Sequence, residues 1–238
     1  MIANATSGVV ELRRYAMQPG KRDDLIALFE QRFIETQEAC GMVPIGHFRD
    51  RADADSFVWF RTFASMETRS EALNRFYTSP IWVDNRVAAN ATMADSDNVL
   101  LLRSARPDSG FDTTGLTRPS EAGMPAGSNS LVAVSIFMLD GSADEDLLSA
   151  FESTMLRELR RCANRVAYFV TEERPNDVPR LPVREDVRAL VVTGVCADEA
   201  AFSDWSRAVE ARAGSAAWSH VVSCETLQLQ PARRSLLR

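Results

Sequence analysis

Apolar and polar residues alternate in several short runs, which are separated by segments with apolar residues at helical spacing. In the first half of the chain, the alternation typical of strands occurs in four segments: 9–15, 42–49, 57–63 and 98–104. Residues 23–40 and 65–93 have helical patterns, and Ser79-Pro80 divides the second of them, since serine caps helices and proline favours their first position. The predicted order of elements is strand–helix–strand–strand–helix–strand, or βαββαβ.

The second half repeats this order after a stretch rich in proline, glycine and serine. Its strand patterns occupy four further segments: 131–139, 165–172, 186–196 and 220–230. A capping box from Ser142 to Glu145 begins one helix, and Asp198 caps the other. We therefore predict a tandem chain with units at 8–105 and 130–231, joined by a linker or lid loop at 106–129.

Two βαββαβ units predict an α+β fold made of two ferredoxin-like antiparallel sheets, each with its helices on one face. The other face of each sheet must be covered, and two sheets placed face to face can close into a barrel. A single chain would then form the dimeric α+β barrel that other chains build by pairing. A homodimer of the two-unit chain is a further expectation.

Composition and charge limit the kinds of partner that this protein is expected to bind. With 27 basic and 33 acidic residues the formal charge is −6, which disfavours nucleic acid as a partner. No apolar run is long enough for a transmembrane helix, and the first eight residues lack the basic and apolar segments of a signal peptide, so a cytoplasmic protein without membrane contact is expected. Two histidines and four scattered cysteines offer no metal-ligand spacing, and no nucleotide-binding or nucleophile motif occurs; we expect no metal and no cofactor.

The opening residues resemble those of a known family. Glu11-Leu12-Arg13-Arg14-Tyr15 followed by Pro19-Gly20-Lys21 is similar to the start of the NIPSNAP family. Further similarity lies in Gly46-His47-Phe48-Arg49, Val58-Trp59 and Ser79-Pro80-Ile81-Trp82. The resemblance covers residues 8–105, whereas residues 130–231 match only in layout.

The resemblance implies the dimeric α+β barrel fold and no settled activity. Proteins sharing that barrel include cofactor-independent oxygenases of aromatic polyketides, cyclases, isomerases and haem-binding enzymes. One hypothesis is therefore an oxygenase, cyclase or isomerase acting on a small aromatic or polyketide-like molecule. The alternative is a non-catalytic barrel that binds a ligand or another protein, and a haem enzyme with His220 as ligand ranks third.

Strand alternation sorts the first unit into two faces. One face is apolar, with Val10, Leu12, Phe48, Val58 and Phe60, and is expected to pack against helices. The other combines charged, polar and aromatic residues and is expected to meet the second sheet: Glu11, Arg13, Tyr15, Ile45, His47, Arg49, Trp59 and Arg61.

On this second face, Tyr15 and His47 are the candidate catalytic residues because both can exchange protons. Arg13 and Arg61 could hold an anionic oxygen, and Trp59 offers a flat surface to an aromatic ligand, with Trp82 as a further candidate lining residue. Ion pairs and hydrogen bonds that only fix the barrel explain the same residues and are the preferred explanation from spacing alone, and a lone strand histidine such as His47 is more often structural. The second unit lacks such a face, so any site is expected in the first.

Overall fold

The computed structural model describes residues 8–120, 129–211 and 218–238; the N-terminal segment behind the signal-peptide prediction and part of the predicted linker lie outside them. The fold is α+β, as predicted. Eight antiparallel strands of the described residues form a closed barrel: β1 (Val9–Met17), β2 (Val43–Asp50), β3 (Ser56–Phe63), β4 (Met93–Ser104), β5 (Leu131–Leu139), β6 (Asn164–Thr171), β7 (Arg188–Cys196) and β8 (Val221–Pro231).

Helices connect the strands in the predicted order. They are α1 (Arg22–Leu28), α2 (Ile34–Ala39), α3 (Met66–Thr78), α4 (Pro80–Ala91), α5 (Glu145–Ala150), α6 (Leu156–Cys162) and α7 (Glu199–Glu210). A π-helical turn joins α1 to α2 at Phe29–Phe33, and another joins α5 to α6 at Phe151–Met155.

Three of the predicted helix starts agree with the structure and one does not. Ser65, Ser79 and Asp198 accept hydrogen bonds from the first turns of α3, α4 and α7. The capping box at Ser142 was wrong, because Asp144 is the N-cap residue of α5 and accepts from the Leu147 amide at 2.8 Å. A carboxylate directly before the helix satisfies that amide and also suits the positive end of the helix.

The strand order around the barrel is β1-β3-β2-β8-β5-β7-β6-β4. Each half contributes four neighbouring strands, and the halves meet along two short seams, β2 with β8 and β4 with β6, of three residue pairs each. The barrel is thus closed within one chain. The division into units at 8–105 and 130–231 remains a prediction.

The two faces of the first sheet have the opposite neighbours from those predicted. Val10, Leu12 and Phe60 point into the barrel, where they pack against apolar residues of the second half, whereas the face with Arg13 and Tyr15 lies under the helices. A period of two separates the faces but does not reveal which one the helices cover. The apolar face lies in the barrel interior because the two sheets together bury that face completely. The opposite face carries charged residues, and helix α3 supplies a charged partner to it.

Ile45 does not follow the alternation of its strand. The register of β2 against β3 shifts between Pro44 and Gly46, as at a β-bulge, and Ile45 joins the barrel core instead of the polar face. Such a bulge turns one side chain out of simple alternation.

The described part of the connection after β4 also packs into the barrel. Phe111 is buried there, with its ring centroid 5.4 Å from that of Phe60 and 4.8 Å from that of Phe169. Arg118 donates to Glu38 and to the Pro44 carbonyl. Residues 106–120 therefore fill part of the barrel. Residues 121–128 of the predicted linker or lid loop lie outside the described part of the chain.

No helix among the described residues has the length and apolar character required to cross a membrane.

Candidate active site

A cavity of about 370 Å³ lies between the first sheet and its helices. Its walls are mainly aromatic, with side chains from β1, β3, α3, α4 and the first π-helical turn: Tyr15, Phe29, Phe33, Phe57, Trp59, Phe76, Tyr77 and Trp82. Many of these rings touch edge to face; the centroids of Phe29 and Trp59, for example, are 5.0 Å apart. The volume and lining suit a small aromatic molecule.

The π-helical turn places two of these rings. Phe29 and Phe33 stand at its two ends, and both line the cavity. A π-helical turn often marks a functional position because it changes the direction of neighbouring side chains. The equivalent turn of the second half begins with Phe151, which is fully buried in a packed core.

A buried carboxylate organises the arginines beneath the cavity. Glu11 is 0% exposed and accepts hydrogen bonds of 2.7 Å from Arg13 Nη1, Arg61 Nε and Arg69 Nε. Burial alone would raise the pKa of Glu11, but Arg61, Arg13 and Arg69 together lower it well below its ordinary range. The cluster therefore holds one negative and three positive charges, and Arg13 and Arg61 face the cavity.

Tyr15 is joined to this cluster by its hydroxyl oxygen, which accepts a 2.7 Å hydrogen bond from Arg13 Nε. Burial raises the pKa of Tyr15, although Arg13 acts in the other direction. The phenol is therefore protonated at neutral pH. Because its oxygen accepts from Arg13, the O–H is available to donate to a bound molecule.

Two further polar atoms of the cavity wall lack a partner among the described residues. They are the indole N–H of Trp59 and the side-chain oxygen of Gln37, and both side chains are almost completely buried. Leaving such groups unpaired costs about 1–3 kcal/mol each. A polar ligand or water in the cavity would satisfy them.

The charged side chains that line the cavity are all positive among the described residues. Four arginines line it, Arg13, Arg61, Arg86 and Arg180, and no Asp or Glu is among its described lining residues. Only Glu11 lies close behind the inner two. The cavity thus favours an anion, or an acidic hydroxyl that ionises on binding.

The second half of the chain contributes to this cavity, which the sequence did not predict. The connection between β6 and β7 reaches over the first half, and its Arg180 and Leu181 line the cavity. Asp177 of the same connection pairs with Arg69 Nη1 at 2.5 Å, and Val178 is buried in the helix-covered core. The sequence feature that could have indicated this contribution is the length of the proline-rich connection, because long loops within a compact domain are often functional.

The candidate residues separate into two groups. Arg13, Tyr15, Trp59, Arg61 and Trp82 all line the cavity, whereas His47 does not. In the register of the sheet, Arg13 lies opposite Trp59 and Glu11 opposite Arg61, which brings the first group together.

His47 lies behind the cavity, against Phe29, with ring centroids 5.2 Å apart. Its Nε2 lies 2.9 Å from Glu30 Oε1, which also accepts from the backbone N–H of Arg234. Burial lowers the pKa of His47 more than Glu30 raises it. His47 is therefore a neutral, fully buried imidazole that donates to Glu30, and its Nδ1 has no hydrogen-bond partner among the described residues.

The corresponding space in the second half is filled. At the positions of β5 that match the polar residues of β1 stand Ala133, Ser135 and Phe137, and Trp205 packs over them with its indole N–H donating to Ser135 Oγ at 2.9 Å. His220, the haem-ligand candidate, is exposed at the start of β8 and lies 3.0 Å from Asp140.

No cluster of three or more His, Cys, Asp or Glu residues capable of holding a metal ion occurs within residues 8–120, 129–211 and 218–238.

Comparison with known structures places the whole chain in one fold. A candidate monooxygenase of Lactobacillus acidophilus NCFM is 12% identical and superimposes with a TM-score of 0.55, covering 94% of both chains. A candidate monooxygenase of Fusobacterium nucleatum is 7% identical, with a TM-score of 0.57 over 94% of this chain and 92% of the other. An anthrone oxidase-like protein is 11% identical, with a TM-score of 0.58 over 94% and 91%. At these identities the likeness shows the fold alone.

No curated protein matches the sequence. The family comparison does give a match, and it covers the half of the chain that carries the cavity. Residues 10–105 match the NIPSNAP family model, in agreement with the resemblance of the opening motifs.

Proposed function

We propose that the cavity binds a small aromatic molecule with an acidic phenolic or enolic hydroxyl, takes it up as the anion, and promotes its oxidation by dioxygen. The observation that carries this proposal is the combination of aromatic walls with the Arg13–Tyr15 pair and no acidic lining residue. Aromatic rings would stack on the substrate, and the arginines would stabilise its oxyanion. The names of the structural relatives, candidate monooxygenases and an anthrone oxidase-like protein, are consistent with this chemistry.

The reaction we propose converts an activated methylene carbon into a ketone. The bound anion gives electrons to dioxygen, and carbon–oxygen bond formation yields a hydroperoxide at that carbon. Loss of water then leaves the ketone. One oxygen atom of dioxygen enters the product, and the other leaves as water with the two hydrogens of the methylene, so dioxygen is the only co-reactant.

Arg13 and Arg61 would lower the pKa of the bound hydroxyl and hold its oxygen, as positive groups do in a site shielded from water. Tyr15 would donate its O–H to the same oxygen, or to the hydroperoxide as water departs. The binding residues of this proposal are Arg13, Trp59, Arg61 and Trp82, and Tyr15 is its catalytic residue.

A second candidate function is binding without catalysis. It is favoured by one observation: among the described lining residues there is no Asp, Glu, His or Cys that could act as a general base. A substrate that is not already acidic would therefore keep its proton, and the protein would act as a carrier of aromatic anions.

One experiment separates the two functions. Purified protein is mixed with anthrone or 2-naphthol under air and under nitrogen, and binding is followed by calorimetry while oxygen consumption and product absorbance are recorded. Oxidase function predicts binding of both probes and oxygen-dependent conversion of anthrone above the rate of heated protein. Binding without conversion would favour the carrier, and no binding of either probe would overturn both. An absorption spectrum of the same sample tests for bound haem.

A further inference from the structure

A second pair of arginines stands at the open end of the cavity. Arg86 belongs to α4 and Arg180 to the connection between β6 and β7; both side chains are exposed and line the cavity. Resting on the proposed function, we infer that they select a substrate with a second acidic group, a carboxylate, at the end of the molecule opposite its phenolic or enolic oxygen.

The two pairs of arginines differ in their partners. The inner pair is buried and shares the carboxylate of Glu11. The outer pair forms no ion pair with any described residue. Some other arginines on the surface of this chain are paired, as Arg51 is with Glu199, Arg106 with Glu145, and Arg174 with Glu172, but what distinguishes Arg86 and Arg180 is that both line the same cavity. Two unpaired guanidinium groups on one cavity thus leave a position for an anion that the protein does not itself supply.

Arg180 is positioned for this role by groups of the first half. Its Nη2 donates to Asn74 Oδ1 at 2.8 Å, and its guanidinium carbon lies 5.8 Å from the ring centroid of Tyr77. The loop that carries it is fixed by the pair between Asp177 and Arg69 and by buried Val178. A guanidinium held in this way loses little freedom when it binds a carboxylate, and its planar fork matches the two carboxylate oxygens.

The arrangement also explains why the anion should be remote from the ring oxygen. Arg13 and Arg61 are 2% and 0% exposed, so they recognise a group that can be stripped of water. A full carboxylate is costly to desolvate, and the exposed end of the cavity lets it keep part of its hydration while it contacts Arg86 and Arg180.

Two matched probes test the inference: 6-hydroxy-2-naphthoate, which has both acidic groups, and 2-naphthol, which lacks the carboxylate. Titration calorimetry at low salt compares the wild-type chain with Arg86→Gln, Arg180→Gln and the control Arg207→Gln, an exposed arginine of α7 that pairs only with Asp204. We expect the carboxylated probe to bind about tenfold tighter than 2-naphthol. Each cavity variant should reduce that advantage by about threefold to tenfold, the range of charge-assisted hydrogen bonds near a surface.

The outcomes remain distinct from those of the proposed function. Equal affinity for the two probes, or variants that weaken both probes alike, would overturn the inference and leave the aromatic site standing. An effect of Arg207→Gln as large as that of Arg180→Gln would also overturn it, because net charge alone would then explain the preference. Failure of both probes to bind would overturn the proposed function and the inference with it.

Discussion

Arg13 Nε donates a 2.7 Å hydrogen bond to the hydroxyl oxygen of Tyr15, and this contact orients the phenol within the cavity. Replacing Tyr15 by Phe keeps the ring and removes the donor. We expect the affinity for the 2-naphthol anion to fall at least tenfold, since a hydrogen bond to a charged group contributes about 1.5–3 kcal/mol. Calorimetric titration of the Tyr15→Phe variant measures the change.

Tyr168→Phe is the matched control for this variant. Tyr168 also lies between sheet and helices, and its hydroxyl donates to Glu152 at 2.8 Å, but it belongs to the filled half of the barrel. Both variants should lose about 1–3 kcal/mol of stability because each leaves a polar partner unsatisfied. An unchanged affinity in Tyr15→Phe would contradict the role of the phenol.

Glu11 is the counter-charge on which the arginine cluster depends. Glu11→Gln would leave Arg13 and Arg61 buried without a negative partner and Arg69 with only Asp177, and we expect the free energy of unfolding to fall by about 3–5 kcal/mol. Urea unfolding at pH 7.5 gives this value. The control Glu225→Gln removes the exposed partner of Arg14 and should cost less than about 1 kcal/mol. Equal losses in the two variants would show that Glu11 carries no special structural role.

The pair between Asp177 and Arg69 fixes the loop from the second half over the cavity. In Asp177→Asn we expect faster hydrogen exchange of residues 176–183 and faster ligand dissociation, because the loop opens more often. Glu173→Gln, an exposed change in the same connection, should leave both rates unchanged. Normal exchange in Asp177→Asn would mean that the apolar contacts of Val178 and Leu181 hold the loop by themselves.

Strand alternation predicted much of the candidate site, because Arg13, Tyr15, Trp59 and Arg61 lie on one face of two paired strands. It could not predict which side of the sheet the helices cover, since both faces of the first sheet are buried. His47 lies on the same face of the sheet as Arg13 and Tyr15, but β2, which carries it, is separated from β1 by β3. The ring of Phe29, which follows α1, packs against His47.

The contribution of the second half to the cavity could not be predicted from local sequence patterns either. Arg180 and Asp177 are more than a hundred residues from Asn74 and Arg69, their partners in the first half. Only the closure of the barrel brings these segments together, through seams of three residue pairs whose register the sequence does not specify.

The buried state of His47 has a consequence for stability in mild acid. Burial lowers the pKa of His47 in the folded protein below its ordinary value of 6.5. Near and below that pH, His47 is therefore protonated to a greater extent in the unfolded chain than in the folded chain. Burial alone would raise the pKa of Glu30, but the hydrogen bonds from His47 and Arg234 lower it, so Glu30 stays ionised throughout this range.

Wild-type stability should accordingly be nearly constant above pH 7 and fall as the pH decreases from 6.5 to 5.5, with a slope of at most about 1.4 kcal/mol per pH unit for the one proton involved. His47→Asn keeps a donor for Glu30 but cannot be protonated, and we expect its stability to be lower yet independent of pH in this range. His220→Asn is the control, since His220 is exposed and is the second of the two histidines. Urea unfolding at four pH values decides the matter: a slope that disappears in His220→Asn and persists in His47→Asn would contradict the assignment.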